Sequence, residues 1–83
     1  PFRIPSIYPL IINGVPEQSS IQIMTLNGTI VKTIDSNEIN GYQASWNGVD
    51  MNGRDVGSGI YLVLIISKKH KINIMKKLAV IKN

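Results

Sequence analysis

Short apolar runs alternate with short polar runs along the whole chain. Residues 20–26 place Ile21 and Ile23 on one face and Gln22 on the other, as a strand does when successive side chains point in opposite directions. The same pattern places Ala44 and Trp46 on one face. Pattern and flanking turn residues together predict six strands, over residues 6–12, 20–26, 29–34, 42–46, 59–67 and 72–81.

Two of these runs depart from simple alternation. Residues 59–67 are apolar on both faces, which is typical of a strand covered on both sides in the middle of a sheet. Residues 72–81 fit a strand, but they also fit a basic amphipathic helix with Ile74, Met75 and Leu78 on one side. We favour the strand, because β-branched residues are poor helix formers and no N-cap residue precedes the run.

Asparagine–glycine pairs separate the apolar runs. Five of the seven glycines follow an asparagine: Gly14, Gly28, Gly41, Gly48 and Gly53. Both residue types tolerate positive φ, which a type I′ hairpin turn requires at its two central positions. The chain has 15 isoleucines and 6 valines but only 7 leucines and alanines together, a strand-rich composition. Turns at this spacing predict an all-β domain over residues 1–83, an antiparallel sandwich.

Length and composition exclude several kinds of site. A chain of 83 residues, 43% of them hydrophobic, suits one domain with one core. It has no cysteine, which excludes disulfides, thiol catalysis and cysteine metal sites, and its one histidine, His70, lies between two lysines. The longest apolar run, residues 60–66, is too short to span a bilayer, so no membrane insertion is predicted.

Residues 50–55 partly resemble a calcium-binding loop. With Gly53 at the sixth position Asp50 and Asn52 fit, but Gly48 and Gly59 stand where two main ligands are required. We favour tight turns capped by Asx side chains and predict no metal or cofactor. All five acidic residues fall in predicted loops, so no catalytic carboxylate pair is indicated and enzymatic activity is the least favoured function.

Aromatic residues leave one binding function open. A carbohydrate-binding surface centred on Trp46 or Tyr42 would use their rings as stacking platforms. The shared face of Trp46 and Ala44 instead favours a place for the tryptophan in the core.

Charge is distributed unevenly. Residues 1–67 carry three basic and five acidic residues, a net charge of −2, whereas residues 68–83 carry six lysines and no acid, a net charge of +6. Such a stripe attracts acidic proteins, anionic surfaces or nucleic acid. Nucleic acid is disfavoured, because no aromatic residue follows Tyr61 to stack on bases. Lysines that protect an edge strand from aggregation are the alternative explanation.

Four motifs in this order resemble one protein family. Residues 21–34 resemble its hairpin, residues 46–54 its Trp-Asp/Asn-Gly-x-Asp-x-x-Gly loop, residues 58–61 its Ser-Gly-Val/Ile-Tyr strand start, and residues 76–82 its closing Lys-Lys strand. The family is the Ig-like domain shared by flagellar hook-capping proteins and by C-terminal sorting domains of type IX secretion cargo. The resemblance extends over nearly the whole chain.

This resemblance implies an Ig-like β-sandwich of about seven strands at the C-terminal end of a larger secreted or surface-attached bacterial protein. It implies a non-catalytic sorting role, with secretion or surface-attachment machinery and the upstream domains of the polypeptide as partners. Recognition is expected in the last strand, at Lys76, Lys77 and Lys82. A structural or adhesive protein-contact module is the main alternative, and a carbohydrate-binding accessory module is the second.

Overall fold

Two β-sheets pack face to face in the computed structural model, which describes residues 1–83. The larger sheet has the strand order β1-β7-β6-β3-β4, and the smaller sheet pairs β2 with β5. One short 3-10 helix, Ser36–Glu38, joins β4 to β5. The strands are β1 (Phe2–Ile4), β2 (Leu10–Asn13), β3 (Ser20–Thr25), β4 (Ile30–Ile34), β5 (Gln43–Trp46), β6 (Gly59–Ser67) and β7 (Ile72–Lys82). The predicted all-β, Ig-like sandwich is confirmed.

Trp46 lies at the centre of the core. Its side chain is 2% exposed, and its ring packs against Phe2 of β1 and Tyr61 of β6 at centroid distances of 6.1 and 6.3 Å. The indole nitrogen donates a hydrogen bond to the Val49 carbonyl at 2.8 Å, so the polar atom of this large side chain is satisfied. Ala44 is buried on the same face, as the alternation predicted.

β6 occupies the middle of the five-stranded sheet, between β7 and β3. Its predicted bounds and central position are confirmed, but the prediction that both faces are covered is wrong. Tyr61, Val63 and Ile65 are buried against the smaller sheet, whereas the opposite face, with Ile60 at its end, is exposed or half-buried. A two-layer sandwich has nothing to place over that second face.

The ends of the chain differ from the predicted strands. Residues 72–82 form a strand and not a helix, as favoured, and Val80 is buried in the core. The strand predicted over residues 6–12 is wrong in its first half: the segment around Pro9 is irregular and β2 begins at Leu10. The pattern also missed β1, whose three residues run parallel to β7 with Phe2 paired to Val80. The sandwich was predicted to be antiparallel, but the pairing of β1 with β7 is parallel.

The turns carry positive φ at glycine but not at asparagine. All five glycines that follow an asparagine have φ between 59° and 90°, yet no asparagine has positive φ. The expectation of type I′ turns at these pairs is therefore wrong. In residues 25–29 the Gly28 N–H donates to the Thr25 carbonyl, and in residues 50–54 the Gly53 N–H donates to the Asp50 carbonyl. Both segments are type I turns followed by a glycine in the left-handed region.

One loop closes an end of the sandwich between β5 and β6. Asp50 Oδ1 accepts the backbone N–H groups of Asn52 at 2.8 Å and Arg54 at 3.1 Å, which confirms the capped turn predicted there. Gly48 packs directly on β1, where a Cβ would lie 2.6 Å from Ile4 Cγ2. The loop also reaches the opposite edge of the sheet, where the Met51 N–H donates to the Val31 carbonyl.

Candidate functional site

The six lysines of the basic stripe fall into two groups on β7 and its preceding turn. Lys68, Lys69 and Lys71 lie with His70 in the turn from β6 to β7, and Lys76, Lys77 and Lys82 lie on β7 itself. All six side chains are exposed. Because no acidic residue follows Asp55 in the sequence, β7 and its turn contain no carboxylate side chain.

The three lysines predicted to be recognised do not form one cluster. Lys76 lies opposite Val63 in the ladder with β6, so its side chain starts from the core-facing side of the sheet. Lys77 lies opposite Leu62, on the outer side. Lys82 shares the parity of Lys76 but is six residues further on, about 20 Å along the strand. A partner that contacts all three must therefore follow the length of β7.

Most of β7 is an open edge. Only Val80, Ile81 and Lys82 pair with β1, so residues 72–79 have β6 as their sole neighbour in the sheet. No backbone hydrogen bond outside the ladders involves residues 72–79. The alternative explanation of the lysines, protection of an edge strand, is therefore consistent with where Lys76 and Lys77 lie.

A cleft of about 270 Å³ opens beside this edge, between the two sheets. All four residues of β2 line one side, and Val63, Lys76, Lys77 and Leu78 line the other. The cleft exists because the smaller sheet has only two strands and leaves part of the core-facing side of β7 uncovered. The half-buried Leu10 and Leu78 contribute apolar lining, and Lys76 and Lys77 add two charged residues on the β7 side.

The other candidate chemistries gain no support from the geometry. No group of three or more His, Asp or Glu side chains lies close enough to hold a metal ion. Trp46 is buried and cannot stack on a sugar, so a carbohydrate surface centred on it is wrong. Tyr42 is 60% exposed, and its role as a stacking platform stays a prediction. No helix in the structure has the length and hydrophobicity needed to cross a membrane.

Sequence reasoning found the lysines and offered an edge strand as one explanation of them, but it did not predict which residues of β7 are unpaired, and it missed the cleft. Both depend on which strands pair over long sequence separations, and the strand pattern does not specify this. The lengths of the predicted strands offered one signal. The last strand is about ten residues long, and only β6 is long enough to pair with all of it, so part of its other edge is left unpaired.

Comparison with known proteins identifies the class of domain. Residues 5–82 match the family described as the secretion system C-terminal sorting domain, and the chain belongs to that family. Sorting for secretion is therefore the role of this domain, and proteins that carry it are secreted or held at the bacterial surface. Domains of this family act as signals and are not in general catalytic. The flagellar hook-capping half of the resemblance stays a prediction.

A solved structure gives a close match to the fold. The chain aligns with PorZ, described as an essential bacterial surface component of the type-IX secretion system of the human oral-microbiomic Porphyromonas gingivalis. The TM-score is 0.80 and the sequences are 25% identical. The alignment covers 98% of this chain but only 10% of that chain. A search of curated proteins finds no match.

Proposed function

We propose that this domain is a non-catalytic sorting signal of the type IX secretion route, and that the secretion machinery reads it at the basic strand β7. It would stand at the C-terminal end of a larger secreted protein. The membership of the sorting-domain family and the likeness to PorZ support the route. The single observation that carries the site is the placement of exposed lysines along one strand with no carboxylate beside them.

The fold does not need these lysines for its core. The buried contacts of β7 come from Val80 and from the half-buried Ile74 and Leu78 on the same side of the strand. Lys76, Lys77 and Lys82 are exposed, so their charge is available to a partner. Because β7 itself contains no acidic residue, its lysines present a positive potential that attracts an acidic surface over about one Debye length.

The test is export of a reporter fused to this domain in a bacterium that has a type IX secretion system. The variant K76E/K77E/K82E should reduce export about tenfold or more while the domain stays folded. The matched control is K68E/K69E/K71E, which makes the same change in net charge in the turn before β7. Export unchanged in the first variant, or reduced equally in both, would contradict recognition at β7.

Deletion of residues 76–83 is a poorer test. It removes the strand that joins β1 to the rest of the sheet, including the buried Val80. Loss of export would then report an unfolded domain and not a lost recognition site. Substitution of exposed lysines keeps every ladder hydrogen bond, so it separates the two effects.

A protein-contact module is the second candidate, and one observation favours it. The outer face of the larger sheet carries a row of aliphatic side chains on β6 with no layer over it: Ile60, Leu62, Leu64 and Ile66. Ile60 is 44% exposed, and the neighbouring Met75 of β7 is 55% exposed. The domain order of the parent polypeptide discriminates between the candidates, because an internal position with domains after Asn83 favours the contact module.

A further inference from the structure

The unpaired part of β7 has the features of a strand-acceptor site. We propose that residues 72–79 accept an extended acidic segment of a partner protein as an added strand, in line with β1. This inference rests on the proposed function for the biological role of the contact, and it adds the chemistry of the partner and the mode of binding.

The backbone supplies the first requirement. In an antiparallel ladder, alternate residues direct both their N–H and their C=O toward the same neighbour. Half of the residues from Ile72 to Ala79 therefore bond to β6, and the other half direct their groups to the open side. An added strand pairs with these groups without any change in the domain. Main-chain pairing at an exposed sheet edge is a recurrent way to bind an extended peptide.

The cleft supplies the second requirement. A strand added to β7 continues the larger sheet, so every second side chain of that strand points toward the smaller sheet. Those side chains would enter the cleft, where Leu10 and Ile12 of β2 stand opposite Val63 and Leu78. Their burial would cover apolar surface that the two-stranded sheet leaves open, and this favours aliphatic residues at alternate positions of the segment.

The charge of the lysines on β7 favours an acidic segment as the added strand. Lys76 and Lys77 are consecutive, so one lies on each side of the sheet at the same point of the edge. Carboxylates on either face of an added strand would therefore meet an ammonium group. A second copy of this chain is disfavoured, because pairing two β7 edges around these positions would set lysines against lysines, and like charges directly opposite destabilise a sheet.

The remaining sheet edges are poorer acceptors. At β4 the outer edge is partly occupied, since Met51 bonds to the Val31 carbonyl and its sulfur accepts the Thr33 N–H. β5 borders a mostly polar groove that contains Glu38, which would repel an acidic segment. The β2 edge is also unpaired, but it is only four residues long and carries no lysine.

Titration of the ¹⁵N-labelled 83-residue domain with a blocked octapeptide of alternating valine and glutamate tests the proposal. We expect chemical-shift changes at residues 72–79, Val63 and the β2 residues, with slowed hydrogen exchange at the open-side amides of β7. Two matched peptides serve as controls. One has lysine in place of glutamate, and the other carries an N-methyl group on the backbone nitrogen of all eight residues and so cannot donate backbone hydrogen bonds from either edge.

Variants of the domain connect the binding to the lysines. K76E/K77E should bind the glutamate peptide about tenfold more weakly and prefer the lysine peptide. K68E/K69E, with the same change in net charge in the turn, should keep the wild-type preference. Both pairs are exposed, and the spectrum of each variant before titration tests whether it is folded.

The outcomes separate this inference from the proposed function. No binding of the glutamate peptide, equal binding of the N-methylated peptide, or shift changes confined to the outer face would each overturn strand addition. A free domain that dimerises with β7 protected would show that the occupant is a second copy. Lysine-dependent export without peptide binding would leave the sorting role intact and reject only the strand-acceptor site.

Discussion

Lys76 lies directly across the β6–β7 ladder from Val63, so a charged side chain and a buried one share the core-facing side of the sheet. The contrast arises because Val63 belongs to the central strand β6, whereas Lys76 lies on β7 beside the cleft between the sheets. The long aliphatic stem of a lysine can lie along apolar surface while its ammonium group stays in water. A lysine at the open edge also discourages pairing with another copy of the same strand.

Replacing Lys76 with valine should therefore promote self-association. The substitution extends an apolar, β-branched strand along an open edge and removes the charge that opposes edge pairing. Sedimentation velocity over a range of protein concentrations measures the effect. Lys68→Val, which changes the same residue type in the turn, should leave the domain at the wild-type association state, and equal association of both variants would contradict the edge explanation.

Gly48→Ala should destabilise the domain by about 2–4 kcal/mol. The added methyl carbon would lie 2.6 Å from Ile4 Cγ2, and Gly48 also has a φ of 78° that an alanine adopts only with strain. Gly53→Ala is the matched control, since its φ is 79° and nothing lies within 4 Å of the new carbon. We expect a loss of about 1 kcal/mol there, and urea unfolding compares the two. Similar losses would show that the contact with β1 costs nothing.

Tyr42→Asn should stabilise the domain by about 0.5–1 kcal/mol. Gly41 and Tyr42, at φ of 59° and 63°, form the two-residue turn that joins Asn40 to Gln43, and a bulky residue is strained in this left-handed region. Asparagine tolerates the same backbone angles, and the exposed tyrosine ring leaves no cavity behind. Thermal unfolding gives the sign. A lower melting temperature would show that the ring makes contacts that outweigh the strain.

Ser19→Ala and Ser67→Ala should shift stability in opposite directions. The Ser19 hydroxyl is buried with no hydrogen-bond partner, so its removal should stabilise the domain by about 1 kcal/mol. Ser67 is equally buried, but its oxygen accepts the His70 N–H at 3.3 Å. Its removal should destabilise the domain by about 0.5–1 kcal/mol. Parallel denaturant titrations test the pair, and a loss of stability for both would indicate that Ser19 is satisfied in solution.

The sequence pattern correctly predicted those elements that are determined by residues close together in the chain. The bounds of β6 and its central place follow from nine residues that are nearly all apolar, and the assignment of β7 as a strand follows from its β-branched residues. The capped turn at Asp50 follows from short polar side chains that bond to the nearby backbone. Each of these depends on residues only a few positions apart.

Features that depend on distant pairing were not predictable in this way. β1 has three residues, too few to show alternation, and it is held by a strand 78 positions away in the sequence. The open edge of β7 exists because β1 is short, so the sequence pattern does not indicate that edge either. Type I′ turns were expected at asparagine–glycine pairs, but the two consecutive residues with positive φ are Gly41 and Tyr42. The pairing of Asn40 with Gln43 determines that these two residues form the turn.

The pairing of Phe2 with Val80 also has a consequence for biosynthesis. An early segment of the chain finds its place only beside residues that are translated some eighty codons later, and β7 must arrive before β1 can join the sheet at all. Until β7 has been made, the larger sheet cannot be completed. Completion of the larger sheet therefore depends on a contact between residues far apart in sequence, which is the kind of contact that slows folding.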